Sequence, residues 1–138
     1  MEFRPDAVRG ARSSANTVEY RLARRHIVNE FRRGRLSRGD VCDAHPELLR
    51  VGEHLGTPTD TTCPICQEVP LVHVSFVFGS GLPSNGRAVA NDQELAKLTK
   101  TIDEVTLYVV EVCMACRWNH LHRVLRIGKK RAATASRH

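Results

Sequence analysis

Residues 71 to 78 read LVHVSFVF, with Val72, Val74, Phe76 and Phe78 at every second position. A period of two places such residues on one side of a strand. EVTLYVVEVC, residues 104 to 113, reads as a second strand running into Cys113, and WNHLHRVLRI, residues 118 to 127, as a third. Between the first two lie a glycine-rich loop, GSGLPSNGRAV, and then NDQELAKLTK, a short helix with Asn91 or Asp92 as its cap.

The first third of the chain has a different period. Tyr20, Ala23, Ile27 and Phe31 recur at helical spacing and predict a helix over about Thr17 to Arg33. Asn16 and Glu19 have capping-box spacing at its start, and Gly34 is its stop. Ser37 and Asp40 then offer a second cap, Pro46 suits a first helical turn, and Leu48, Leu49, Val51 and Leu55 give an apolar side ending at Gly56. A helix-turn-helix that reads DNA is one interpretation of this hairpin and a structural hairpin the other. Asp40, Asp43, Glu47 and Glu53 make the would-be recognition segment acidic, which argues against DNA because phosphate repels acid. TPTDTTCPICQ, residues 57 to 67, reads as a turn-rich approach to two cysteines.

The predicted fold class is α+β, an N-terminal helical hairpin followed by a zinc-ribbon-like antiparallel β unit with an inserted short helix. Residues 1–14 read as a flexible basic arm, 15–57 as the helical unit, 58–127 as the β domain and 128–138 as a disordered basic tail.

Composition bears on stability. With 138 residues, one Trp, two Tyr and four Phe, the core has to be small and mostly aliphatic, and such a core gains from a metal. No run approaches the roughly 18 apolar residues of a membrane span, and MEFRPDAVRGARSS lacks a signal-type apolar stretch, so a cytoplasmic location is expected. In a reducing compartment five cysteines point to metal or catalysis rather than to disulfides.

Charge is unevenly placed. Residues 1–38 carry ten Arg against four acids, residues 39–112 four Lys or Arg against eleven acids, and residues 113–138 seven Lys or Arg and no acid. Two basic ends around an acidic middle suit a polyanion such as nucleic acid, through Arg21, Arg24, Arg25, Arg32 and Arg33 on the helix and Lys129, Lys130 and Arg131 in the tail. Basic termini that merely keep the chain soluble are the plainer alternative.

The chemistry concentrates in Cys63-x2-Cys66, 46 intervening residues, and Cys113-x2-Cys116. Two residues between cysteines let both sulfurs of a tight turn reach one ion, and two such turns supply the four thiolates of a structural zinc. Pairing the adjoining strands would bring the turns together. A thioredoxin-like site would instead place one pair at the start of a helix, while an iron site uses the same four sulfurs. Gln67 and Arg117 stand where glycine would ease each turn, at about 1 kcal/mol apiece if φ is positive there. Cys42 and His45 have ligand spacing, so a second site or a ligand exchange competes with a buried Cys and a locally bonded His. Trp118, Asn119 and His120 follow the second pair: Trp118, His120 and His122 share a strand face that either meets a base or partner or covers the metal. No Glu base follows a ligand as in a metalloprotease or deaminase, so the chain reads as non-enzymatic.

VCDAHPELLR, CPIC, YVVEVC and WNHL, in this order and at these intervals, resemble a family of small actinobacterial proteins known only as a domain of unknown function. The resemblance spans about residues 20 to 127 and implies that the four cysteines form one site; Arg117 departs from the glycine expected there. It implies no activity. The residues lead to a zinc-binding module that associates with nucleic acid or a nucleoprotein machine, the ribosome or RNA polymerase. A protein–protein adaptor with a structural zinc is the alternative.

Overall fold

The structure, a computed structural model, describes residues 17–102 and 104–128. The expected arm at 1–14 and the tail beyond Gly128 lie outside the described residues. In chain order the elements are β1 (Thr17–Glu19), α1 (Arg21–Arg32), α2 (Arg38–Val41), α3 (Pro46–Leu55), β2 (Thr57–Thr62), β3 (Pro70–Gly79), β4 (Arg87–Val89), α4 (Asp92–Thr101), β5 (Glu104–Val112) and β6 (Asn119–Gly128). One antiparallel sheet runs in the order β1-β6-β5-β3-β2, with β4 also paired to β3. The fold is therefore mixed α+β. The three strands expected around the cysteine turns and the short helix between the first two are all present.

Each face of the sheet is covered by helix. Val72, Val74, Phe76 and Val112 turn to the side where α3 packs with Leu48, Leu49 and Val51. Val77, Leu107, Val109, Leu125 and Ile127 form the opposite core with Leu95 of α4, and farther along the sheet Val28 of α1 packs with Leu71, Ile65 and Trp118. Leu71, Val74, Val77, Leu107, Leu125 and Ile127 are at most 1% exposed, so burial of aliphatic side chains on both faces is the main stabilising term.

The N-terminal segment departs from the sequence reading. Thr17–Glu19 is not the first helical turn: it is a strand pairing with Leu125, Val124 and Arg123 of β6. An unpaired edge of β6 offers these residues ladder hydrogen bonds that outweigh a local cap, and Tyr20 N–H donates to His122 O at 3.1 Å as the helix begins. The packed stripe of α1 is also rotated from the predicted one. Ala23 is exposed, and Arg24, Ile27, Val28 and Phe31 turn inward.

On the sheet, α1 packs against β6 and α3 against β3 and β4, while Ile27, Val28 and Phe31 of α1 share a core cluster with Val41 of α2. The local signals of this region hold. Ser37 and Asp40 form a reciprocal capping box on α2, Pro46 opens α3, and Gly56 closes it. A side chain at Gly56 would run into Val72 and the Gly52 carbonyl, so the chain can turn from α3 into β2 only with glycine at this position. Where the sequence predicts a turn-rich loop, β2 forms instead; its alternating threonines suit an edge strand, held by Thr59 Oγ1 donating to Leu71 O at 2.9 Å. No helix among the described residues is long and apolar enough to cross a membrane.

Candidate metal centre

Two turns of nearly the same build carry the cysteines. In the first, Gln67 N–H donates to Cys63 O at 3.0 Å, Ile65 N–H to Cys63 Sγ at 3.4 Å, and Cys63 N–H to Val69 O at 2.9 Å. In the second, Arg117 N–H donates to Cys113 O at 3.0 Å, Cys116 N–H to Cys113 Sγ at 3.3 Å, and Cys113 N–H to Trp118 O at 2.8 Å. Gln67 and Arg117, each four residues after the first cysteine of its turn, have φ of 54° and 76°. Both turns thus require the left-handed conformation that glycine would take at least cost.

Antiparallel pairing of β3 with β5, Val72 opposite Val112, draws the turns together. Cys63 Sγ then lies 3.7 Å from Cys116 Sγ, and Cys66 Sγ 3.7 Å from Cys113 Sγ. A tetrahedron of sulfurs about 2.3 Å from a central ion has edges of roughly 3.8 Å, so the donor set fits one four-coordinate metal ion. All four sulfurs lie within 4.8 Å of one another, with Cys63 and Cys113 buried. Burial pushes the Cys63 and Cys116 thiols up to about 12. Cys66 lies below its ordinary value; burial opposes this, but hydrogen bonds from the Glu68 amide and from Cys113 and Cys63 stabilise its thiolate. A bound cation must therefore displace protons from Cys63 and Cys116.

The fifth cysteine stands beside this set. Cys42 donates to Cys116 Sγ at 3.4 Å, and the segment after it is stitched to the second turn. Ala44 N–H donates to Arg117 O at 3.0 Å, Arg117 Nη2 to Ala44 O at 2.8 Å, and Asn119 Nδ2 to Asp43 Oδ1 at 3.1 Å. Arg117 therefore bears a strained φ while its side chain clamps the neighbouring segment, which a glycine would not do. His45 instead caps α3, its Nδ1 accepting from Glu47 N–H at 3.0 Å.

Trp118 is 1% exposed and packs in the same cluster as Cys63 and Cys113, covering the cysteine set rather than presenting a free ring. Its Nε1 donates to Glu111 Oε2 at 2.8 Å, and its ring stacks on His120, centroids 5.8 Å apart. Arg24 donates from Nε to the same oxygen at 2.6 Å, so this arginine is held by a buried carboxylate while Arg21, Arg25, Arg32 and Arg33 remain exposed. Lys129, Lys130 and Arg131 lie outside the described residues. Sequence reasoning missed Glu111 as the partner of Arg24, and His73 beside it. Both are polar residues on apolar strands, but it is the β3–β5 register that sets His73 opposite Glu111, and a single strand's sequence does not show it.

Taken together, the fold and the site define a small α+β protein with a four-cysteine centre at one end of an antiparallel sheet. The chain belongs to the family of unknown function DUF5318, whose model matches residues 11–138. It is 38% identical over 120 residues to the uncharacterized protein Mb0050 of Mycobacterium bovis and, equally, to the uncharacterized protein Rv0049 of Mycobacterium tuberculosis, covering 87% of this chain and 88% of each relative. No solved structure matches the chain.

Proposed function

We propose that the chain is a non-enzymatic module in which one structural zinc, held by Cys63, Cys66, Cys113 and Cys116, fixes the sheet while α1 docks on nucleic acid or a nucleoprotein machine such as the ribosome or RNA polymerase. Four thiolates and no open position favour a closed structural zinc; iron in the same set would colour the protein. The observation that carries the docking is the solvent side of α1, where Arg21, Arg25, Arg32 and Arg33 are exposed and Arg35 and Arg38 continue the row. The nearby acids only partly offset it: Glu19 lies 3.6 Å from Arg21, and Glu30 3.5 Å from Arg33. Exposed pairs of this kind yield readily to a phosphate. Lys129, Lys130 and Arg131 would extend the contact.

Fluorescence anisotropy with a generic RNA and a DNA duplex, repeated at several salt concentrations, tests this. The wild type should bind both, with the logarithm of its affinity falling linearly in log salt. Replacing Arg21, Arg25, Arg32 and Arg33 by Gln should lower affinity across sequences and flatten that slope by up to about 0.9 per lost contact. Arg24 is left in place because it neutralises Glu111. An adaptor reading is favoured by Val18 of β1 and Leu22 of α1, 54% and 76% exposed. It replaces the first if the wild type fails to bind at low salt or if the variant binds identically.

A further inference from the structure

Beside the cysteine set, and sharing none of its sulfurs, one cluster of side chains is unlike its surroundings. On the α1-covered face of the sheet, His73 of β3 lies directly opposite Glu111 of β5, and β6 runs on the other side of β5. The β5–β6 register slips between Val109, opposite Arg123, and Val110, opposite Leu121, so His122 is the extra residue of a bulge. A bulge re-aims a side chain, and here the His122 ring comes to 4.5 Å from the His73 ring, centroid to centroid. One imidazole nitrogen from each and one carboxylate oxygen of Glu111 all lie within 4.8 Å of one another. We propose that His73, Glu111 and His122 form a second metal site, taking a divalent first-row transition ion through two imidazoles and one carboxylate.

The donor set is of the kind that holds zinc or ferrous iron with a coordination position left for water. Glu111 is 3% exposed, and both bonds it accepts, from Arg24 and Trp118, fall on Oε2, so Oε1 takes neither. Those donors orient the carboxylate as the outer partners of metal ligands do. The bulge itself is pinned by Tyr20 N–H donating to the His122 carbonyl at 3.1 Å. Burial, and the neighbouring His122, hold His73 down to about 4, so its ring is neutral and able to ligate at ordinary pH. Arg24 and Arg123 add positive charge nearby, which makes this the weaker of the two centres.

The test starts from the full chain holding one zinc, to which Co2+ is added. Native mass spectrometry should show a species carrying both ions, and paramagnetic Co2+ should broaden the ring resonances of His73 and His122 while sparing His54, which lies on α3. His73→Gln and His122→Gln should each weaken the cobalt by at least about tenfold and leave the zinc in place. A wild type that takes no second ion, or broadening that spares His73 and His122, overturns the proposal without reference to any variant. Cobalt that only displaces zinc, read as intense thiolate absorption, overturns it too.

Discussion

Arg117 shows how one residue can oppose its own backbone and still be retained. Its φ of 76° costs about 1 to 2 kcal/mol, while its guanidinium bond to Ala44 O contributes about 1.5 to 3 kcal/mol. Arg117→Ala keeps the strain and loses the bond, and should destabilise by about 2 kcal/mol; Arg117→Gly loses both and should fall about 1 kcal/mol nearer to wild type. Urea unfolding of the three proteins checks the order Arg, Gly, Ala. His73 supplies a pH dependence. Its folded value of about 4 lies below the ordinary 6.5, so the unfolded chain binds more protons between these values and stability falls as pH drops through that window. It is fully present above 6.5. Between pH 6.5 and 4 the melting temperature of His73→Gln should therefore decline less steeply than that of the wild type, and parallel curves would refute this.

At the scale of elements, what was legible followed from whether the cause is local. The strands at 70–79 and 104–112 announce themselves through their apolar residues, that at 119–128 by following the second cysteine turn, and the caps of α2 and α3 because their donors and acceptors lie within a few residues. β1 did not, since nothing in Thr17-Val18-Glu19 says that an open edge of β6 lies nearby. Periodicity alone turns Arg24 toward phosphate, because a helical wheel does not show a buried acid 87 residues away. The four-cysteine set was legible from spacing, and the left-handed positions from their place in each turn, where glycine would fit at least cost although Gln67 and Arg117 occupy them. The cluster of His73, Glu111 and His122 was not, because it depends on register and on a bulge. Gly56 gives the element scale its own prediction. Gly56→Ala places a methyl against Val72 and the Gly52 carbonyl, and should cost about 2 to 3 kcal/mol, more than an ordinary surface substitution. A denaturation midpoint unchanged from wild type would mean that α3 and β2 shift apart easily.

For the whole molecule, the cysteine centre joins parts that have little else in common. It links the turn before β3, the turn after β5 and, through Cys42 and Ala44, the segment leading to α3, while α1 lies over it with Val28, Ile27 and Phe31. Removing one ligand should therefore unsettle the end of the central β3–β5 pair where both turns meet, together with the helical segments packed there. Cys113→Ser should lose the metal and most of the cooperative unfolding transition, whereas Cys42→Ser, which keeps a hydroxyl donor beside Cys116, should melt within a few degrees of wild type. Equal losses in the two variants would show that the fifth cysteine is a ligand.

The four-thiolate centre is tested most directly by zinc K-edge X-ray absorption on the full chain carrying one equivalent of zinc. The geometry predicts a first shell of four sulfurs at about 2.3 Å, from Cys63, Cys66, Cys113 and Cys116. A shell of nitrogen and oxygen, or zinc that dialyses away with the fold intact, would contradict it.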